Sequence, residues 1–106
     1  MAAITVQDVG AGGLGEVTFA NSTTSDTVTP GLRVGGFDVL PVILLVANGD
    51  ADPHTVTVGE NDPVEIAAGD TAAFPIYSEG VGDNSVTVAS DVATAQTVAA
   101  IRLTGR

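Results

Sequence analysis

Three features of this chain carry residue types that could do chemistry: a glycine-rich turn at 10–15, two acid-bearing turns at 48–52 and 60–62, and a single histidine, His54. Gly10, Gly12 and Gly15 in GAGGLG fit the G-x-G-x-x-G pattern and follow a predicted strand. In a dinucleotide site that pattern must open a helix, because the helix N-terminus holds the pyrophosphate. Here the next residues, EVTFANSTTSD, read as strand and then loop. The glycines are therefore read as a tight turn. In the acidic turns, Asn48, Asp50 and Asp52 lie together and Glu60 and Asp62 follow one turn later. Calcium takes such oxygen ligands, but an EF-hand loop needs more carboxylates at fixed offsets and a terminal Glu. Asp, Asn and Gly are also ordinary turn residues, since they accept left-handed backbone and bond their own main chain. No metal site is expected.

His54 follows Pro53 at the start of a predicted strand, where the spacing puts it at the turn or outward. Nucleophilic catalysis needs a Ser or Cys, a base and an orienting acid brought together. No nucleophile-elbow motif surrounds any serine here, and zinc would need further His or Cys ligands. Paired carboxylates for glycoside hydrolysis would need an aromatic-lined cleft, and the chain holds three Phe, one Tyr and no Trp. Asn21-Ser22-Thr23 fits a glycosylation sequon, which matters only in a secreted eukaryotic protein. No catalytic residue and no cofactor is expected, and the chain is not read as an enzyme.

The elements that would position these residues are short strands. Residues 3–9 alternate apolar and polar as one half-buried strand; EVTFA at 16–20 and DTVTP at 26–30 give two more, separated by the loop-like 21–26. Residues 31–39 carry three glycines and read as an irregular connection. PVILLVAN at 41–48 is the continuous apolar run expected of a central strand covered on both faces. HTVTVG at 54–59 should turn Val56 and Val58 inward, with Thr55 and Thr57 outward. Val64 and Ile66 share a face. TAAFPIY at 71–77 reads as a strand with Pro75 at an edge or bulge. SVTVAS at 85–90 and TVAAIRL at 97–103 complete the set, with 91–96 preferred as loop over helix. The fold class predicted is all-β: a single domain over 1–106, a β-sandwich or jelly-roll-like barrel of about seven to nine short, mainly antiparallel strands.

Composition agrees with a thin sheet core and restricts partners. Hydrophobic residues make up 44% of the 106, mostly Val, Ala, Ile and Leu. There is no cysteine, so packing or an assembly must hold the domain. Thirteen acids stand against Arg33, Arg102 and Arg106, for a net charge of −10. That balance argues against nucleic acid and against an anionic membrane surface. No basic region followed by a long apolar stretch opens the sequence, and Leu40 to Ala47 is too short to span a bilayer.

Thr5-Val6-Gln7 leading to a glycine turn, Asn48-Gly49 closing an apolar strand, Ala68-Gly69, Phe74-Pro75 with Tyr77, and the terminal Val98 to Leu103 together resemble the small head proteins of tailed bacteriophages, many from actinobacterial hosts. The resemblance covers most of the chain; Ala67-Ala68-Gly69 lacks that family's proline, and Ser22 to Pro41 has no counterpart. It implies a virion structural protein, a capsid decoration or cement protein on the outer capsid surface. The partners implied are the major capsid protein and further copies of the chain, as a trimer, with the terminal strands as sheet edges. A head–tail or tail component is the structural alternative. A receptor or glycan-binding module, using Phe74 and Tyr77 near Pro75, is the alternative of another class. The residues singled out for an interface are Arg33 and Phe37 in the irregular segment and Asn48, Asp50 and Asp52 in the acidic turn. Arg33 stands apart from the other two basic residues and suits pairing with a neighbour's acids.

Overall fold

In the computed structural model, residues 2–9, 17–29, 42–76 and 85–103 are described, and they form two five-stranded sheets packed into a β-sandwich rather than a closed barrel. The strands are β1 (Ala2–Ile4), β2 (Val6–Val9), β3 (Ala20–Asn21), β4 (Ser25–Val28), β5 (Val42–Asn48), β6 (His54–Val58), β7 (Val64–Ile66), β8 (Thr71–Ile76), β9 (Val86–Ser90) and β10 (Gln96–Leu103). One sheet runs β1-β4-β9-β6-β7. The other runs β2-β10-β5-β8, with β3 also paired to β10. Residues 91–95 are loop before β10, as expected, and 71–76 form an edge strand containing Pro75, paired in register with Ile43.

The core is the strip between the sheets: Val42, Leu44 and Val46 from β5, Val56 and Val58 from β6, with Val28, Ile66, Ile76, Val88, Val98 and Ala100. Every second residue points inward, so β5 and β6 alternate buried and half-buried along their lengths. No phenylalanine ring is fully buried among the described residues; Phe74 packs partly against the core and Phe19 is exposed. The core is thus built from β-branched and small side chains, which pack well on pleated surfaces.

Several sequence expectations change. Residues 3–9 are not one strand: the chain breaks at Thr5, and its halves enter different sheets, β1 beside β4 and β2 beside β10, both parallel. The sheets are therefore mixed, and ten strands replace the seven to nine expected. Residues 17–19 are not strand. The same flank of β10 is taken by β2 at 100–103, which leaves only Thr97 and Val98 for β3 to pair. The two-sided burial expected of 41–48 belongs to β10 instead, where Val98, Ala99 and Ala100 are all buried, while Ile43, Leu45 and Ala47 of β5 are half-buried. An apolar run reports that a strand is central but not which of its faces is covered. Lastly, of the terminal strands only the N-terminal ones are edges; β10 lies inside its sheet. Val64 and Ile66 also differ in burial, at 40% and 3% exposed, because β7 is short and ends its sheet.

The turn into β10 carries one conformational cost. Ala95 has φ 55°, the left-handed region that disfavours a Cβ. Its carbonyl accepts from Gly49 N at 3.0 Å, and a Cβ on Gly49 would meet that oxygen at 2.8 Å. Ala95→Gly should therefore stabilise the protein by about 0.5 kcal/mol, because the left-handed penalty of roughly 1–2 kcal/mol exceeds the unfolded-chain entropy that glycine adds. Chemical denaturation of the two proteins checks it, and a lower midpoint for the variant would contradict the strain.

Candidate functional site

At one end of the sandwich the inward-facing stripe changes from apolar to polar. Asp26, Asn48, His54, Ser90 and Gln96 are buried there, each two residues along its strand from a buried Val: Val28, Val46, Val56, Val88 and Val98. Ser22, just after β3, joins them. Strand periodicity thus delivers polar side chains from both sheets into one buried layer.

The layer is a continuous hydrogen-bonded chain. Asp50 Oδ2 lies 3.0 Å from His54 Nε2, and His54 Nδ1 lies 2.8 Å from Gln96 Oε1. Gln96 Nε2 donates to Ser22 Oγ and to Ser90 Oγ, both at 2.9 Å. Ser22 Oγ lies 2.8 Å from Asp26 Oδ2 and 3.0 Å from Thr23 O, so its single proton points away from Gln96 whichever acceptor takes it. Asp26 also accepts from Thr23 N and Thr23 Oγ1. The chain spans four strands of both sheets, from the β5–β6 turn through β6 and β10 to β9 and β4.

Direction in this chain is fixed from the Asp26 end. Ser22 gives its proton to an oxygen that can only accept, so its lone pair faces the Gln96 amide NH2, and Gln96 must present its carbonyl to His54. His54 Nδ1 is therefore a donor. Its other nitrogen faces the Asp50 carboxylate, which also accepts. A neutral imidazole has one N–H and would leave one contact empty; the imidazolium satisfies both. The geometry thus favours a His54⁺–Asp50⁻ pair wherever the imidazole is protonated. The His54 hydrogen bond, with Ala51 N donating to the other carboxylate oxygen at 2.7 Å, lowers the Asp50 pKa below its ordinary 3.8. The hydrogen bond from Asp50 first, then Gln96, raises His54 above its ordinary 6.5, against desolvation; Asp91 adds a weaker Coulombic pull.

A second tie lies beside the first. Asn48 Nδ2 donates to Ile66 O at 3.0 Å and Asp52 O at 2.9 Å, and Asn48 Oδ1 accepts from Asp50 N at 2.9 Å. One amide side chain therefore joins β5 to β7 and shapes the turn that aims Asp50 at His54.

Of the interface candidates, Arg33 and Phe37 lie outside the described residues. Asn48 is buried and spent on internal bonds, Asp50 is half-buried and spent on His54, and Asp52 is exposed. The acidic turn thus leaves Asp52 exposed and keeps the other two for the fold. The expectation that His54 sits at the turn or outward is corrected: it is 1% exposed. The missed signal was phase, since 54, 56 and 58 share a face, and the same parity marks Asp26, Ser90 and Gln96.

Chemically, the side chains of the layer hold one another in fixed orientations. The Asp50–His54 pair resembles the acid–imidazole half of a catalytic triad, yet the second ring nitrogen meets a carboxamide oxygen, not a hydroxyl that it could deprotonate. No group of three His, Asp or Glu side chains among the described residues is placed to hold a metal ion. An open pocket of about 450 Å³ adjoins the Asp26 end of the layer, where the chain crosses between sheets, lined by Ile4, Thr5, Gln7, Thr18, Asp26 and Val98 among others. There Gln7 clasps the backbone of Thr18, donating to its oxygen at 2.8 Å and accepting from its nitrogen at 2.9 Å. Comparison of the chain with known protein families, curated proteins and solved structures finds no match.

Two outcomes follow from the polar layer. Gln96→Leu leaves His54 Nδ1 without its acceptor and removes the amide donor to both serines, and should cost at least about 2 kcal/mol, measured by denaturation, since each orphaned buried polar group costs roughly 1–3 kcal/mol. A loss under half that value would mean water replaces the amide. The second concerns pH. His54 has a raised folded pKa, so its contribution is complete below 6.5 and is lost as pH rises through the raised value. Asp50 has a lowered one, so its contribution is complete above 3.8 and is lost as pH falls through the lowered value. Wild-type stability should therefore decline as pH rises above 6.5 and through the raised value, and His54→Gln should show a flatter profile over that range. Parallel profiles would refute the imidazolium.

Proposed function

We propose that this chain is a virion structural protein of a tailed phage, a decoration protein bound outside the capsid as a homo-oligomer and bridging major capsid subunits. One geometric contrast carries the reading. The described polar side chains most suited to chemistry are consumed by one another inside the sandwich, whereas Asp52, Glu60, Asp62, Glu65, Asp70 and Asp91 are exposed. Such a body offers contact rather than reaction. An acidic exterior suits a surface away from packaged DNA, where phosphate repulsion would be unfavourable. Among the described residues β7 and β8 end their sheets, and sheet edges gain from being covered by a neighbour.

The resemblance to phage head proteins supplies the particular assembly. Its residues fall on distinct parts of the sandwich: Thr5-Val6-Gln7 at the crossing between sheets, Asn48-Gly49 at the β5–β6 turn, Phe74-Pro75 on edge strand β8 and Val98–Leu103 on β10. Decoration acts through many weak contacts multiplied by lattice copy number.

The copy number of this chain relative to the most abundant protein, in particles purified from its source, tests the proposal. A ratio within a few-fold of one to one is expected. A handful of copies per particle would move the chain to a connector or tail role, and absence from particles would end the reading and make glycan screening the next step.

A further inference from the structure

We propose that Asn48-Gly49 is a site of spontaneous deamidation that the fold holds shut, so that conversion of Asn48 records each chain that has unfolded and prevents its return. The reaction needs no enzyme. Gly49 N attacks the Asn48 side-chain carbonyl carbon, a new C–N bond closes a five-membered imide, and the amide nitrogen leaves as ammonia. Water then opens the imide at either carbonyl, giving aspartate or isoaspartate. Glycine as the following residue places no side chain in the way of attack.

Every atom in this step is restrained in the folded protein. Closing the imide requires the peptide plane between Asn48 and Gly49 to rotate, and that plane is pinned on both sides. Gly69 N donates to Asn48 O at 2.8 Å, and Gly49 N donates to Ala95 O at 3.0 Å. Asn48 N is also engaged, donating to Asp70 O at 2.9 Å. The side-chain amide that must swing toward Gly49 N is held by Asp50 N, Asp52 O and Ile66 O, and it is 1% exposed, which restricts the water needed for ring opening. Reaction at this position is thus confined to states in which the end of β5 has opened.

The product does not fit the site it leaves. A carboxylate at 48 has no N–H for Ile66 O or Asp52 O, and it sets anionic oxygen against two carbonyl oxygens within the same buried pocket. Isoaspartate adds a backbone carbon at the end of β5, where Asn48 is in register with Gln96. Both products strike the layer that joins the sheets.

The full wild-type chain, held at mildly alkaline pH in native buffer and in guanidinium chloride, gives the test by peptide mapping at residue 48. Conversion should be at least about tenfold faster in denaturant, as expected when reaction requires opening. After dilution from denaturant, the refolded fraction should retain Asn48 and the unfolded fraction should carry the converted residue. Asn48→Asp, made directly, should fail to regain the native fold on dilution from denaturant, and a variant that refolds as wild type does would overturn the proposal. Equal conversion rates in the two buffers, or converted chains recovered equally in the refolded fraction, would overturn the proposal.

Discussion

A hydrogen-bonded chain that ends in an acceptor at both sides must contain one group that donates in two directions. In this sandwich the ends are Asp26 and Asp50, and that group is His54. The requirement reaches well beyond one proton. It sets the orientation of the Gln96 amide, the rotor of Ser22 and the aim of the β5–β6 turn, and it holds only while β4, β6, β9 and β10 keep their register. An apolar core built from valines tolerates sliding, since one valine replaces another at each step of two. A buried polar chain does not, because a slipped register orphans every member at once. The apolar strip supplies the driving force for packing the sheets, and the polar layer selects which packing is reached.

Much of this was legible in the chain. Alternation located most of the strands, Pro75 marked an edge, and the preference for loop before β10 held. What could not be read was pairing. The alternation in 3–9 is the same whether those residues make one strand or two halves in different sheets, because period two says which side faces in and nothing about the neighbour. Burial of His54 was readable and missed, for polarity was weighed above phase. Phase is the stronger signal near a strand end, where one inward position can be polar if partners from the facing sheet arrive at the same depth. Those partners, Gln96 and Ser22, lie 42 and 32 positions from His54 by subtraction of residue numbers, so no local pattern announces the meeting.

The acids divide into two populations with opposite roles. Asp26 and Asp50 terminate the inner chain and belong to the fold, while the outward carboxylates set the charge that a partner meets. Net charge in the sequence merges them. A function proposed from composition therefore rests on the outward set, and the sandwich by itself would serve many roles.

The N-terminal segment threads both sheets, and β2 lies parallel to β10 with Val6 to Val9 beside Ala100 to Leu103. Parallel neighbours respond to tension in a particular way. When force draws the start of β2 and the end of β10 apart, the strands slide along one another, and the rungs between them carry the load together. An antiparallel pair pulled from adjacent ends would instead peel open one rung at a time. The crossing at Thr5 passes part of any such pull into β4 and the opposite sheet, so the sandwich shares mechanical load between its layers along the long axis of its strands.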